Sequence, residues 1–197
     1  MNFTALGMAY GFVVVDIYDN INLKTDVRPA FGSEGRSTKD VESDVANIVE
    51  HFDTTKNQLF CLERGKPEDQ ESIDMLLDYF PEGFPKDALY VKKWFSPFTG
   101  NVYRHKDKTV GKFESMISKE VDTVVISGFD LIVCVINTAI DFAKRGYDVY
   151  LIKDLLLTDH KDISETLVKI KEYNNIRLVD SYDSFKAQYQ AKPLAKV

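Results

Sequence analysis

Gly11-Phe12-Val13-Val14-Val15 places five apolar or glycine positions in a row, with no alternation between an inner and an outer face. A strand of that kind must be covered on both sides, which in soluble proteins means a parallel sheet sandwiched between helices. Short strand-like runs recur at Gln58–Leu62, Ala88–Val91, Thr123–Ile126, Val149–Ile152 and Ile176–Val179. Helical signals lie between them. Ser37 and Asp40 have capping-box spacing, with Asp in place of the usual Glu, and Val41, Val45, Ile48 and Val49 form a stripe that runs a helix to about Phe52. Further helices are expected over Ser72–Phe80, over Val110–Lys119, from Asp130 as N-cap to a C′ Gly146, and over Asp159–Tyr173 and Tyr182–Gln190. The stretch from Lys92 to about Thr109 reads as irregular. Strict alternation predicts one three-layer α/β domain over 1–197, with right-handed crossovers.

Charge and cysteine usage narrow the function classes. Thirty-one acidic against 25 basic side chains give a net charge of −6, which draws neither a phosphate backbone nor an anionic bilayer, so neither partner is expected. Two cysteines cannot build a disulfide framework, and free thiols suit a cytoplasmic protein. Ala9–Val15 has no basic residue ahead of it, and Thr123–Ala143 carries Asp130 and Asp141, each costing roughly 3 kcal/mol in lipid. Neither reads as an export or membrane segment. No Gly-x-Gly-x-x-Gly or P-loop follows a strand, and no cofactor is expected. A small-molecule substrate is.

In open parallel sheets the ligand crevice lies at the carboxyl ends of the strands. Asp16 ends the first run, Lys92 the third, and Cys134 falls in the first turn after the fourth. A helix N-terminus and a nearby ammonium both favour thiolate, a carboxylate can shuttle the proton, and backbone N–H groups can hold an oxyanion. Taken singly the residues are bland: a cysteine in Leu131-Ile132-Val133-Cys134-Val135-Ile136 is an ordinary core residue, and aspartates often follow strands as turn formers. Their shared position at strand ends is what points to nucleophilic catalysis.

Three strings resemble the isochorismatase-like cysteine hydrolases, the superfamily of nicotinamidases, N-carbamoylsarcosine amidase and isochorismatases. They are Val13-Val14-Val15-Asp16-Ile17-Tyr18-Asp19-Asn20, Lys92-Lys93-Trp94-Phe95-Ser96-Pro97-Phe98, and Gly128 through Cys134-Val135-Ile136-Asn137-Thr138-Ala139. The resemblance implies a six-stranded parallel sheet in the order 3-2-1-4-5-6. It also implies roles: Asp16 takes the thiol proton, Lys92 stabilises charge, and Cys134 forms a covalent intermediate. It further implies a cis peptide at Phe129–Asp130, backbone N–H groups of Asp130 and Cys134 as oxyanion donors, and a homo-oligomer.

Departures from the family pattern narrow the expected chemistry. Nicotinamidases carry an Asp-x-His…His metal site after strand two, whereas Leu62 to Asp69 contains no histidine, and His51, His105 and His160 are scattered. No metal is expected. Some isochorismatases lack the cysteine, so its presence favours C–N cleavage of a small amide, ureido or carbamoyl compound. Tyr18, Trp94 and Phe129 either wall the pocket or fill core space. The departures at Tyr18, Pro97 and Leu131 leave a second reading, a catalytically degenerate relative that binds a small ligand or serves as an assembly subunit.

Overall fold

Burial of the first apolar run on both faces puts β1 (Ala9–Val15) in the middle of a sheet, and the computed structural model places it there. The structure describes residues 9–17, 26–32, 35–80 and 84–191. The other strands are β2 (Arg28–Pro29), β3 (Gln58–Arg64), β4 (Leu89–Lys92), β5 (Val102–Arg104), β6 (Thr109–Gly111), β7 (Val121–Gly128), β8 (Asp148–Thr158) and β9 (Ile176–Val179). Strands β4, β3, β1, β7, β8 and β9 lie side by side and parallel. Counted in chain order, those six give the expected 3-2-1-4-5-6. Short antiparallel additions flank them: the β5–β6 hairpin extends β4, and β2 pairs with the far half of β8.

The helices are α1 (Thr38–Glu50), α2 (Gln70–Tyr79), α3 (Ile136–Lys144), α4 (Ser164–Lys171) and α5 (Tyr182–Gln190). Side-chain alternation along the strands sorts the core into two layers. Val13, Val15, Leu62 and Tyr90 pack with Cys134 and with Ala139 and Phe142 of α3. Phe12, Val14, Cys61 and Val91 pack with Val41 and Val45 of α1 and Phe185 of α5. Among the described residues no helix is long and apolar enough to cross a membrane.

The helix expected over Val110–Lys119 does not form. Val110 is 52% exposed and sits on β6 opposite Tyr103. Phe113, Met116 and Ile117 are buried, but a single 3-10 turn (Phe113–Met116) delivers them. An apolar spacing of three and four fits a strand followed by one tight turn as well as it fits a helix. The same hairpin occupies part of the stretch that reads as irregular. The helix expected over Asp159–Tyr173 spans only Ser164–Lys171; residues 159–163 are a connection from β8, at whose end Asp162 Oδ1 accepts from Ser164 N–H at 2.8 Å.

The capping box does form. Asp40 N–H donates to Ser37 Oγ at 3.3 Å, and Ser37 N–H donates to Asp40 Oδ2 at 2.7 Å. Ser37→Ala is expected to cost about 1 kcal/mol, a fall in Tm of roughly 2–4 °C for a chain of this size. Thermal unfolding followed by circular dichroism checks it, and an unchanged Tm would mean that the cap contributes nothing.

Where β7 leaves the sheet, the backbone runs against β1. Gly128 has φ +117, and a Cβ added there would lie 2.1 Å from the Val15 carbonyl oxygen. Phe129 N–H donates to that same oxygen at 2.8 Å. Only glycine permits this approach.

Candidate active site

Asp16 follows β1 with φ +47, a left-handed conformation that aspartate tolerates better than most residues. Its N–H donates to the Leu62 carbonyl at 2.7 Å, tying it to β3. Lys92, the last residue of β4, reaches across with Nζ 2.9 Å from Asp16 Oδ1 and 2.7 Å from Oδ2. The two side chains are only 1% and 0% exposed. Buried this deeply, each is the other's ion-pair partner.

Cys134 completes the group. After β7 the chain makes a wide π-type turn (Leu131–Val135) before α3 begins. Asp130 caps that turn, its Oδ1 accepting from Ile132 N–H at 3.2 Å, and its carbonyl accepts from the N–H groups of Val133 and Val135. The turn brings the Cys134 thiol close enough to Asp16 for the carboxylate to act on its titration. The peptide Phe129–Asp130 is cis. Three residues separated by 76 and 42 positions in the chain thus lie together at the strand ends.

The thiol's charge state differs from the sequence expectation. Burial, with Cys134 only 6% exposed, and the Asp16 carboxylate push its pKa up to about 12; Lys92 and Arg64 pull the other way and do not prevail. Near neutral pH the group is therefore a thiol beside a carboxylate. A helix end and one ammonium do not outweigh desolvation plus an adjacent negative charge. Below its pKa a thiol gains thiolate tenfold per pH unit, so alkylation of Cys134 by iodoacetamide should climb about tenfold from pH 7 to 8 and again from 8 to 9. A pH-independent rate over that window would mean that the thiolate exists at rest. Cys61, fully buried with its thiol pushed well above the ordinary range by burial and then by Glu63, should label more slowly at every pH.

The remaining candidates divide. Phe129, 3% exposed, turns into the layer beneath α1 and α5, on the face of the sheet opposite Cys134. It fills core and does not wall this cleft. Trp94 is 51% exposed with its ring against Gly100. Tyr18 lies outside the described residues. Ser96 and Phe98 explain the segment after Lys92: Ser96 Oγ accepts from Phe98 N–H at 3.3 Å, and the Phe98 ring packs edge-on to Phe113 and Phe142. A cavity of about 460 Å³ between α1 and α5, lined by Tyr10, Asp44, His51 and Tyr182 among others, contains none of the three clustered residues. We place the site by its chemistry, not by that cavity.

His160 is less isolated than its place in the chain suggests. Its Nε2 lies 3.3 Å from Asp130 Oδ2 and 3.3 Å from Asp159 Oδ1, and Thr158 Oγ1 donates to Asp130 Oδ1 at 2.9 Å. Asp130, Asp159 and His160 are the one group of three metal-capable donors among the described residues. Since both carboxylates already face the imidazole, we read them as a polar network behind the Asp130 peptide. Burial, the largest influence, raises the Asp130 carboxyl above the ordinary carboxylate range.

Comparison with known proteins agrees with this fold. The isochorismatase domain family matches residues 82–170, a segment that includes both Lys92 and Cys134. The whole fold matches an isochorismatase-family protein from Chromobacterium violaceum at TM-score 0.65, with 15% identity and 98% of each chain covered. In fold, and over residues 82–170 in sequence, the chain is similar to the isochorismatase-like proteins. The fold is also similar to that of N-carbamoylsarcosine amidase from Thermoplasma acidophilum, at TM-score 0.61 and 20% identity, covering 89% of this chain and 98% of that one. Isochorismatase family protein 2B of Dictyostelium discoideum is 26% identical over 85 residues, which are 43% of this chain and span only 40% of that relative's length.

One charged residue at the cleft escapes the sequence reading. Arg64, the last residue of β3, is in register with Lys92 and exerts its charge on the Cys134 thiol. The strand-like run in the sequence covers Gln58–Leu62, whereas β3 continues to Arg64. The available signal was parity: two residues beyond buried Leu62, Arg64 leaves the sheet on the same face.

Proposed function

We propose that this protein is a metal-independent cysteine hydrolase that cleaves a C–N bond of a small amide, ureido or carbamoyl compound. One observation carries the reading: the buried Asp16 carboxylate pairs with the Lys92 ammonium and lies beside the Cys134 thiol, on whose titration it acts. In such a site Asp16 accepts the thiol proton as sulfur attacks the substrate carbonyl carbon, so thiolate need form only when a reactant is present. The new S–C bond leaves a tetrahedral oxyanion, for which backbone N–H groups at Asp130 and Cys134 are the proposed donors. Collapse breaks the C–N bond, and the nitrogen departs with the proton held by Asp16. Water then attacks the thioester, its proton passes to Asp16, and the Cys134 thiol is restored with release of the acid. Lys92 holds the carboxylate in place and offsets its charge throughout.

The test is a panel of small amides, ureides and carbamoyl compounds assayed for ammonia release, with Cys134→Ser in parallel. Turnover that vanishes in the variant supports the reading. Burial and a pKa of about 12 at Cys134 favour one competitor, a non-catalytic relative that binds a ligand without turning it over. That protein would show a ligand-induced rise in Tm, equal in wild type and Cys134→Ala, and no ammonia from either.

A further inference from the structure

Asp130 organises the whole turn that carries Cys134. Of the four main-chain N–H groups from Ile132 to Val135, three donate to it: Ile132 to Oδ1 at 3.2 Å, and Val133 and Val135 to its carbonyl oxygen at 3.1 and 3.0 Å. The fourth belongs to Cys134, one of the two proposed oxyanion donors. Where Asp130 sits therefore sets where that N–H points. Asp130 is in turn held from another strand. Thr158, the last residue of β8 and 1% exposed, donates from Oγ1 to Asp130 Oδ1 at 2.9 Å, the same oxygen that accepts from Ile132. The hydroxyl is fixed from behind, because its oxygen accepts from His160 N–H at 3.1 Å. Strand β2 pins this end of β8: Arg28 is in register with Thr158, and its guanidinium donates to the His160 carbonyl.

We propose that Thr158 is a positioning residue for the oxyanion site, fixing through Asp130 the main-chain N–H groups of Asp130 and Cys134 against a tetrahedral intermediate. The proposal rests on the cysteine-hydrolase reading and adds to it a residue that acts only through another. Oxyanion donors are effective because they are in place before charge develops, and a misplacement of about 1 Å at a reacting centre costs up to about 10²-fold in rate. A hydrogen bond to a carboxylate is shorter and stronger than one between neutral groups. Threonine suits the task, since its branched side chain has few χ1 states and the strand backbone then aims the hydroxyl.

Thr158→Val keeps the shape and removes the donor, whereas Thr158→Ser keeps the donor. On an amide that wild type hydrolyses, Thr158→Val should lower kcat about tenfold with KM changed by less than about twofold, and Thr158→Ser should recover most of the loss. Acetaldehyde labelled with carbon-13 at the carbonyl supplies a second reading. The S–C bond forms, the thiol proton passes through Asp16 to the carbonyl oxygen, and NMR reports the thiohemiacetal carbon, which Cys134→Ala should lack. The dissociation constant of that adduct should rise about tenfold in Thr158→Val. Alkylation by iodoacetamide displaces iodide and creates no oxyanion, so its rate at Cys134 should stay within about twofold of wild type in both variants. Alkylation that changes in step with kcat, or a loss that serine does not rescue, would mean a general loosening of the fold and overturns the proposal. So does an adduct or a kcat that Thr158→Val leaves unchanged. If wild type hydrolyses no amide, the adduct decides separately. An adduct weakened in Thr158→Val supports the positioning role while the hydrolase reading fails, and no adduct at Cys134 in wild type overturns both.

Discussion

Cys134→Ser is expected to lower kcat for ammonia release by about three orders of magnitude or more, with little change in fold. Serine is close in shape, and its hydroxyl can still donate to Asp16. It is a much poorer nucleophile and binds its proton far more tightly, so Asp16 cannot draw that proton off as it draws it from sulfur. Cys134→Ala should fall at least as far. Because the position is 6% exposed and packed in the core, both variants need a Tm beside each rate. Retained activity in either folded variant would remove sulfur from the reaction.

The second large effect concerns the ion pair beneath it. Lys92→Met leaves the Asp16 carboxylate buried without its cation, and Asp16→Asn leaves the ammonium without its anion. Breaking one side of such a pair costs about 3–5 kcal/mol, which for a chain this long is a fall in Tm on the order of 10 °C. The double variant should recover much of that loss, because no charge then remains buried alone. Asparagine is the right replacement at position 16, since it too tolerates the left-handed backbone with φ +47. Chemical denaturation of the four proteins gives the cycle. Single variants within 1 kcal/mol of wild type would mean that water reaches the pair. Activity should not return with stability in the double variant, as it lacks the base.

How much of this was legible in the chain depends on the kind of signal each part leaves. Val13-Val14-Val15 and Val149–Ile152 announce themselves because burial on both faces demands unbroken apolar runs. Asp16, Lys92 and Cys134 follow from the rule that parallel sheets gather their ligands at strand ends. The β5–β6 hairpin left a weak trace, because three-residue strands carry too few positions to show a period. Phe129 was open to two readings since one step along the backbone reverses the face of the sheet, and the turn after Gly128 sets that parity. The thiol's charge was misjudged for a different reason. Helix end and lysine are visible in one dimension, whereas desolvation is a property of everything packed around the sulfur. Arg64 lies beyond the apolar run Gln58–Leu62 that marks the strand in the sequence, although β3 continues through it.

The close passage of Gly128 over Val15 has a consequence for how the protein can vary. Proton donor and acceptor ride on separate segments, and their spacing is gauged by an absent methyl group at position 128. Any larger residue there would pry β7 from β1 and carry the sulfur away from the carboxylate. Mutational drift at this glycine should therefore abolish chemistry first and leave the rest of the core recognisable, so that the position works as a spacer gauge and not as a hinge.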